Sequence, residues 1–466
     1  MAPLLSATQP WVSVTLILTT LTVSGCGARG DSAGDTSLTG NSQGSTVISQ
    51  PLAFRPFPRS CELEDMNSWV YQSMQDYYLF YQQVQSNVDT DDYDSPEELV
   101  SDLRVAPNDT FSYVTDETTY SAFFNEGETF GYGWNFARTA SNELLFSLVE
   151  PNSPLDTAGV KRGDQLLAIN GIDIPDFDQL SRTERQNILG TSDEIKSLEL
   201  TILANDGTAD GTTQRQVNIT KSTYGLQTVL DSRVIEQRGV MVGYLHFYQF
   251  VNTSSQELKQ AFSRFKAEGV SELVIDLRFN GGGRIVIANE LASYVLGRSA
   301  QNNVFTTFAY NDKYQSQNQS LYFQELQDSL GLNRVFVLQS SNTCSASELV
   351  VNSLRPFIDV ITVGSTSCGK PYATSPNTAC GKVANVLEIE LLNASGTGGY
   401  FEGIAADCSA AEDVRRPLGD ESEPLLATAL NYIDTGSCSL LAGRLRTQTH
   451  QLTTDLKHQW QGGNSL

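Results

Sequence analysis

Histidine is almost missing from this chain: 466 residues hold three, His246, His450 and His458. His246 lies in an apolar and aromatic stretch that reads as a strand, and the other two fall in a polar tail. None is placed to serve as an imidazole base or to share a metal site. Positive charge is the second shortage, with 30 Lys and Arg against 54 Asp and Glu and a formal charge of −24. So acidic a surface repels phosphate backbones, which argues against nucleic acid as a partner, and it favours solubility. No two of the seven cysteines stand in C-x-x-C spacing, which removes the commonest structural zinc pattern. Neither a metal nor an organic cofactor is called for. The apolar run from Trp11 to Val23 is too short to cross a bilayer as a helix.

That run instead has the size of a signal-peptide apolar region. It ends in Val23-Ser24-Gly25-Cys26, which resembles the lipobox of bacterial lipoproteins, where the cysteine is lipidated and becomes the mature N-terminus. Residues 1–26 are therefore expected to be a lipoprotein signal peptide with Cys26 as the lipidation site. Residues 27–59, rich in Gly, Ser, Thr and Asp, read as a flexible tether. The expected location is the bacterial cell envelope, on a periplasmic or extracellular face, with the membrane held through the N-terminal lipid. Cys61, Cys344, Cys368, Cys380, Cys408 and Cys438 remain, an even number that in an exported chain suggests up to three disulfides.

The rest of the chain divides by periodicity. Residues 60–125 read as a small helical domain: Trp69, Met74, Tyr77, Tyr78 and Tyr81 form an aromatic-rich stripe, and Ser95-Pro96-Glu97-Glu98 has the form of a helix start. Residues 126–222 turn to short strands and tight turns. Residues 223–438 alternate strand and helix, with strands over 242–247, 273–277, 334–338 and 360–363 and helices over 257–268 and from Glu348. The continuous apolar strands suit a sheet covered on both faces, so the whole is an α/β multidomain chain. Residues 439–466 read as a polar, loosely held C-terminal tail.

Chemistry concentrates in the third of these regions. Ser345, in Thr343-Cys344-Ser345-Ala346-Ser347-Glu348, sits between an apolar strand and a helix start. Such a turn exposes a side chain and aims free backbone N–H groups at one spot. Ala346 N–H is then one oxyanion donor, and the glycine turn after Asp276-Leu277-Arg278 supplies a second, assigned to Gly282 with Gly281 and Gly283 as neighbours able to replace it. Ser347 competes with Ser345 only as a helix cap. A serine hydroxyl needs a base. With histidine lacking, Lys370 in Ser367-Cys368-Gly369-Lys370-Pro371 is the base expected, once burial lowers a pKa that leaves only about one lysine in 2,500 neutral at pH 7.

Two resemblances extend this reading. Phe130-Gly131-Tyr132-Gly133-Trp134, Pro151–Val160 and Lys161–Gly171 together resemble a PDZ domain over residues 126–222. In that family Phe130, Gly131, Tyr132 and Gly133 would form the loop that receives a peptide C-terminus while the peptide adds a strand to the sheet edge. The order helical segment, PDZ, Asp276-Leu277-Arg278-x-Asn280-x-Gly282-Gly283, Ser345-Ala346-Ser347-Glu348, Gly369-Lys370 resembles the C-terminal processing peptidases of family S41, over roughly residues 60–435. The resemblance implies a ClpP/crotonase-type α/β protease core and a dyad of Ser345 and Lys370, 25 positions apart. It also implies protein or peptide substrates with free C-termini.

Two departures from that family stand out. Its best-known members carry a glutamine four residues after the lysine, where this chain has Thr374, so the group that orients Lys370 is left open. Cys344 and Cys368 are the second departure. If the loops converge, these two lie close enough for a disulfide; Cys380–Cys408 and Cys61–Cys438 complete the expected set. The resulting expectation is a serine endopeptidase cleaving exported or partly unfolded proteins, with the PDZ domain recruiting substrate C-termini or gating the site. A catalytically silent S41-like binding protein, akin to retinoid-binding modules of the eye, and a PDZ adaptor are the alternatives.

Overall fold

The computed structural model describes residues 55–205, 213–439 and 449–451. The signal peptide, Cys26 and most of the tether and tail lie outside the described residues. Among those described, no helix is long and apolar enough to cross a membrane.

The N-terminal helical segment holds α1 (Leu63–Asp76) and α2 (Pro96–Leu103), the latter capped where the sequence announces it, by Ser95 Oγ accepting Glu98 N–H at 3.1 Å. Trp69, Met74, Tyr77 and Tyr78 are buried as the stripe predicts, whereas Tyr81 stays partly exposed and reaches Asp312. The segment is not an independent domain. Trp69, Val70, Met74 and Tyr78 share one core with Tyr372, Val386 and Leu387 from far along the chain. Strand β1 (Tyr113–Asp116) pairs antiparallel with a strand over Lys382–Asn385. Even Arg55, inside the expected tether, is buried and meets Glu388 at 2.5 Å. A buried ion pair replaces solvent with a packed partner, so the chain is already anchored at residue 55, within the expected tether.

The PDZ region begins with β2 (Glu128–Gly131) and its sheet with β3 (Trp134–Thr139), β4 (Leu144–Val149) and β5 (Gln165–Ile169). Helix α3 (Arg182–Leu189) follows, opened by a Ser181–Glu184 capping box, and then β6 (Ser197–Leu203), β7 (Gln214–Thr220) and β8 (Ser222–Gly225). β3, β4, β5, β6 and β7 neighbour one another in that order, while β2 pairs with β8. Phe136, Phe146, Leu155, Phe177 and Leu200 fill their core.

The protease region is a second, larger sheet. β9 (Val229–Gln237) pairs antiparallel with β10 (Val240–Phe247); beyond it β11 (Glu272–Asp276), β12 (Arg334–Gln339) and β13 (Asp359–Gly364) run parallel. Two residues, Cys408–Ser409, extend it beside β13. Its strands read as apolar runs because both faces are covered. On one side lie α4 (Ser254–Ala267), α5 (Ile285–Leu296) and α6 (Ala346–Leu354), with Leu258, Phe262, Leu291 and Leu349 packed on Leu273, Ile275 and Val337. On the other, Leu425, Leu426 and Ala429 of α7 (Pro424–Thr435) pack on Tyr244, Val274, Phe336 and Leu338. β11, β12 and β13 are adjacent and parallel, so the segments that follow them all emerge at one edge, the usual place for a site in such sheets.

The disulfides are Cys344–Cys368, as expected, and Cys61–Cys380 and Cys408–Cys438, which replace the expected Cys61–Cys438 and Cys380–Cys408. The reason is the packing of the helical segment: β1 lies on the strand just after Cys380, so Cys61 is delivered to Cys380 with Cα atoms 5.6 Å apart. Peptide mapping under non-reducing conditions is expected to recover these three links. Recovery of Cys380 joined to Cys408 would contradict the docking of the helical segment.

Candidate active site

Three segments meet at the carboxyl edge of the parallel strands. β11 runs into Leu277–Gly283, β12 into Ser340–Ser345, and β13 into Ser365–Lys370. The first two are tied by Cys344 N–H to Asn280 O at 3.1 Å, Thr343 Oγ1 to Leu277 O at 2.8 Å and Ser347 Oγ to Asn280 O at 3.0 Å. Ser347 is thus fully buried and occupied as a structural tie, which removes it as a rival nucleophile.

Ser345 caps α6 with φ +55° and ψ −112°, a backbone state that costs a non-glycine residue on the order of 1–3 kcal/mol. The residue is partly exposed. Ala346 is the first residue of α6, so its N–H has no intrahelical carbonyl to donate to. Gly282 lies directly against this pair: at its φ of +106°, a methyl group there would fall 2.7 Å from Ser345 Cβ and 3.0 Å from Ala346 N. Only glycine lets the turn approach so closely. Its N–H, however, donates to Asn280 Oδ1 at 2.9 Å, so in this state Gly282 supplies proximity rather than a free second donor. The Asn280 amide is held in turn by Phe247 O at 3.0 Å. No pattern in the sequence signals this side-chain contact.

Glu348 joins the nucleophile loop to the lysine loop. Its carboxylate accepts Ser345 N–H at 2.9 Å, Ser367 Oγ–H at 2.5 Å, Gly369 N–H at 2.8 Å and Lys370 N–H at 2.9 Å. Burial pushes its pKa up, and these four donors pull it back only in part. The Cys344–Cys368 disulfide, with Cα atoms 5.1 Å apart, and Cys368 N–H to Thr343 O at 3.0 Å bind the same two loops. Both sulfurs lie near the Glu348 carboxylate, but the disulfide leaves neither as a metal ligand.

The Lys370 ammonium lies 5.0 Å from the centroid of the Phe111 ring. Burial lowers its pKa below the ordinary 10.5; Asp109 and Glu348 oppose the shift without cancelling it. Asp109 and Phe111 come from the turn between α2 and β1, with Asp109 held by Tyr78 Oη–H at 2.8 Å and by Phe111 and Ser112 N–H groups. The helical segment therefore roofs the lysine, a role its helical periodicity does not announce. Thr374, at the family's glutamine position, turns away to Asn385 at 3.3 Å. Glu348 holds the Lys370 backbone, and the Phe111 ring lies beside its ammonium.

The Asp-Leu-Arg segment anchors the glycine turn by charge. Arg278, wholly buried, meets Asp276 at 2.6 Å, Glu423 at 3.0 Å and Glu412 at 3.5 Å. Arg162 of the PDZ region reaches the same Glu412 at 2.8 Å and lies over the Phe279 ring, so the PDZ fold touches the base of the turn. His246, opposite Asp276 in the sheet, is buried and its pKa falls to about 4, which keeps it neutral and structural. In the PDZ loop, Phe130 and Gly131 close β2, and the Tyr132 ring is buried with its hydroxyl donating to Leu189 O and Lys196 O, both at 3.1 Å. Gly133, φ +83°, packs against Ser153 where any side chain would collide.

Three family models match the chain. The peptidase family S41 model matches residues 241–410, the S41 N-terminal domain 65–113 and a PDZ domain 145–195. The chain contains a peptidase family S41 domain. It is 26% identical over 280 residues to a carboxyl-terminal-processing protease of Picosynechococcus sp., covering 59% of this chain and 63% of that one. It is 29% identical over 231 residues to the chloroplastic carboxyl-terminal-processing peptidase 1 of Arabidopsis thaliana, covering 47% and 42%. The matched region is thus less than two thirds of the length of these relatives. A solved structure from Bacteroides fragilis described as an S41 protease shares the fold, with TM-score 0.65, 24% identity and coverage of 79% of this chain and 97% of that one.

The strained backbone at Ser345 yields a direct test. Ser345→Gly is expected to be more stable than Ser345→Ala by about 1 kcal/mol in urea unfolding, because only glycine relaxes at φ +55°. Equal midpoints would show the turn to be unstrained. Glu348→Gln places an amide donor among backbone donors and is expected to cost about 1–3 kcal/mol in the same measurement.

Proposed function

We propose that this S41-domain chain is a serine endopeptidase that works through a Ser345–Lys370 dyad. The observation that carries the reading is the Glu348 carboxylate, which accepts N–H groups from both residues and so sets nucleophile and base in one frame. Neutral Lys370 takes the Ser345 proton as Oγ attacks the scissile carbonyl. The tetrahedral oxyanion faces Ala346 N–H, with the Gly282 turn beside it. Collapse breaks the C–N bond, Lys370 returns its proton to the departing amine, and an acyl-enzyme ester remains. Water then repeats the sequence, Lys370 acting as base, and releases the acid product. A protein substrate fits the chemistry best, recruited as a C-terminal peptide at the PDZ loop of Phe130, Gly131, Tyr132 and Gly133. The relatives' names, carboxyl-terminal-processing protease and peptidase, support the same substrate class. The lipobox-like end at Cys26 supports attachment of the chain to the bacterial cell envelope.

Casein digestion by the wild type, Ser345→Ala and Lys370→Ala tests this reading. Ser345→Ala is expected to lower kcat by on the order of 10⁴-fold or more and Lys370→Ala by about 10²–10⁴-fold. Undiminished cleavage by Ser345→Ala would end the proposal.

The pH profile supplies an independent check. Lys370 must be neutral to act, so kcat/KM rises with pH through its depressed pKa and levels off below 10.5. A rate that keeps rising to the ordinary lysine value would show the ammonium to be solvated.

A further inference from the structure

The PDZ sheet does not end on β3. Beyond it lies a strand from the C-terminal region, β16 after β14 (Lys382–Asn385) and β15 (Cys408–Ser409), spanning Thr449–Gln451. It pairs antiparallel with β3, Thr449 opposite Thr139, His450 opposite Arg138 and Gln451 opposite Ala137. On its other side β3 pairs with β4, so without β16 it would be an edge with open backbone groups. The direction of the added strand matters. Pairing partners fall from 139 to 137 from Thr449 to Gln451, so these three residues point along β3 in the direction of Trp134. A peptide received at the Gly131–Gly133 loop and added to β3 would occupy the same backbone edge in the same sense. The side chains of β3 are committed elsewhere: Trp134 and Phe136 lie in the PDZ core and Arg138 pairs with Asp178 at 2.6 Å. What β3 offers a guest strand is therefore its backbone, which accepts a sequence without a specific motif.

We propose that the segment around Thr449–Gln451 is an internal ligand of this chain's own PDZ domain and competes with external peptides for β3. The proposal rests on the reading of the PDZ domain as a peptide receiver given above. Each N–H and C=O along an edge pairs with one neighbour, so tail and guest exclude each other. A tethered occupant acts at a high effective concentration, and an external peptide binds only the fraction of molecules whose edge is free. If that fraction were about one tenth, the external peptide would bind about tenfold more weakly than to a chain without the tail.

Hydrogen exchange of residues 137–139 tests this in the Ser345→Ala background, where no cleavage complicates the readout. Three proteins are compared: the full chain, a chain ending at Ser439, and the full chain with His450→Pro and Gln451→Pro, which removes two backbone donors from the added strand. Slow exchange in the full chain and fast exchange in both variants is expected, with a synthetic peptide of residues 445–455 restoring protection to the shortened chain. The same peptide, fluorescently labelled, should bind the shortened chain several-fold more tightly than the full one. Equal protection in all three proteins, or a peptide that neither protects nor binds the shortened chain, overturns the proposal. Loss of Ser345-dependent casein cleavage is read in a separate assay, so failure of the protease reading stays distinct from failure of this one.

Discussion

One buried carboxylate ties together the loops of the candidate site. Taking a glutamate out of water costs several kcal/mol unless its oxygens are met by donors. Glu348 is met by four, and two of them are the backbone N–H groups of Ser345 and Lys370. Because the acceptor is rigid within α6, the distance between the two loops is fixed by hydrogen-bond lengths rather than by flexible side chains. The Cys344–Cys368 disulfide repeats the constraint covalently from the other side of the same residues. With the loops so held, Ser345 can keep a strained backbone that its own sequence would not favour.

A second buried charge cluster does for the glycine turn what Glu348 does for the loops. Arg278 is enclosed by Asp276, Glu412 and Glu423, and Arg162 adds a second cation from the PDZ region. Ion pairs this deep are poor sources of net stability, but removing one partner leaves an uncompensated charge, so they hold geometry firmly. The PDZ domain thereby contacts the turn that approaches Ser345. The PDZ region and the turn at Ser345 are parts of one packed unit, and the helical segment closes it over Lys370 through Asp109 and Phe111.

The fold was legible where pattern reflects burial. Apolar runs gave the parallel strands, Ser95 gave a helix start, and the Ser345, Lys370 and Gly282 segments were found because small residues and strand ends mark exposed turns. The partners of those segments left no such mark. Asp109 and Phe111 sit in an ordinary turn, Glu348 looks like a helix-opening acid, and Asn280 gives no sign that it will hold the Gly282 N–H. The cysteine pairings show the same limit: Cys344–Cys368 follows from two loops expected to meet, whereas Cys61–Cys380 depends on where a whole segment docks.

By itself the sequence determined the order of the regions and the candidates for nucleophile and base, Ser345 and Lys370, in a chain with only three histidines. These are matters of residue type and local spacing, and local spacing is written in the chain. The tertiary structure decided what surrounds each group: the four donors at Glu348, the ring over Lys370, the occupied N–H of Gly282 and the strand laid along β3. Burial, desolvation and edge pairing arise only when separate segments are packed against one another, and no local pattern encodes them.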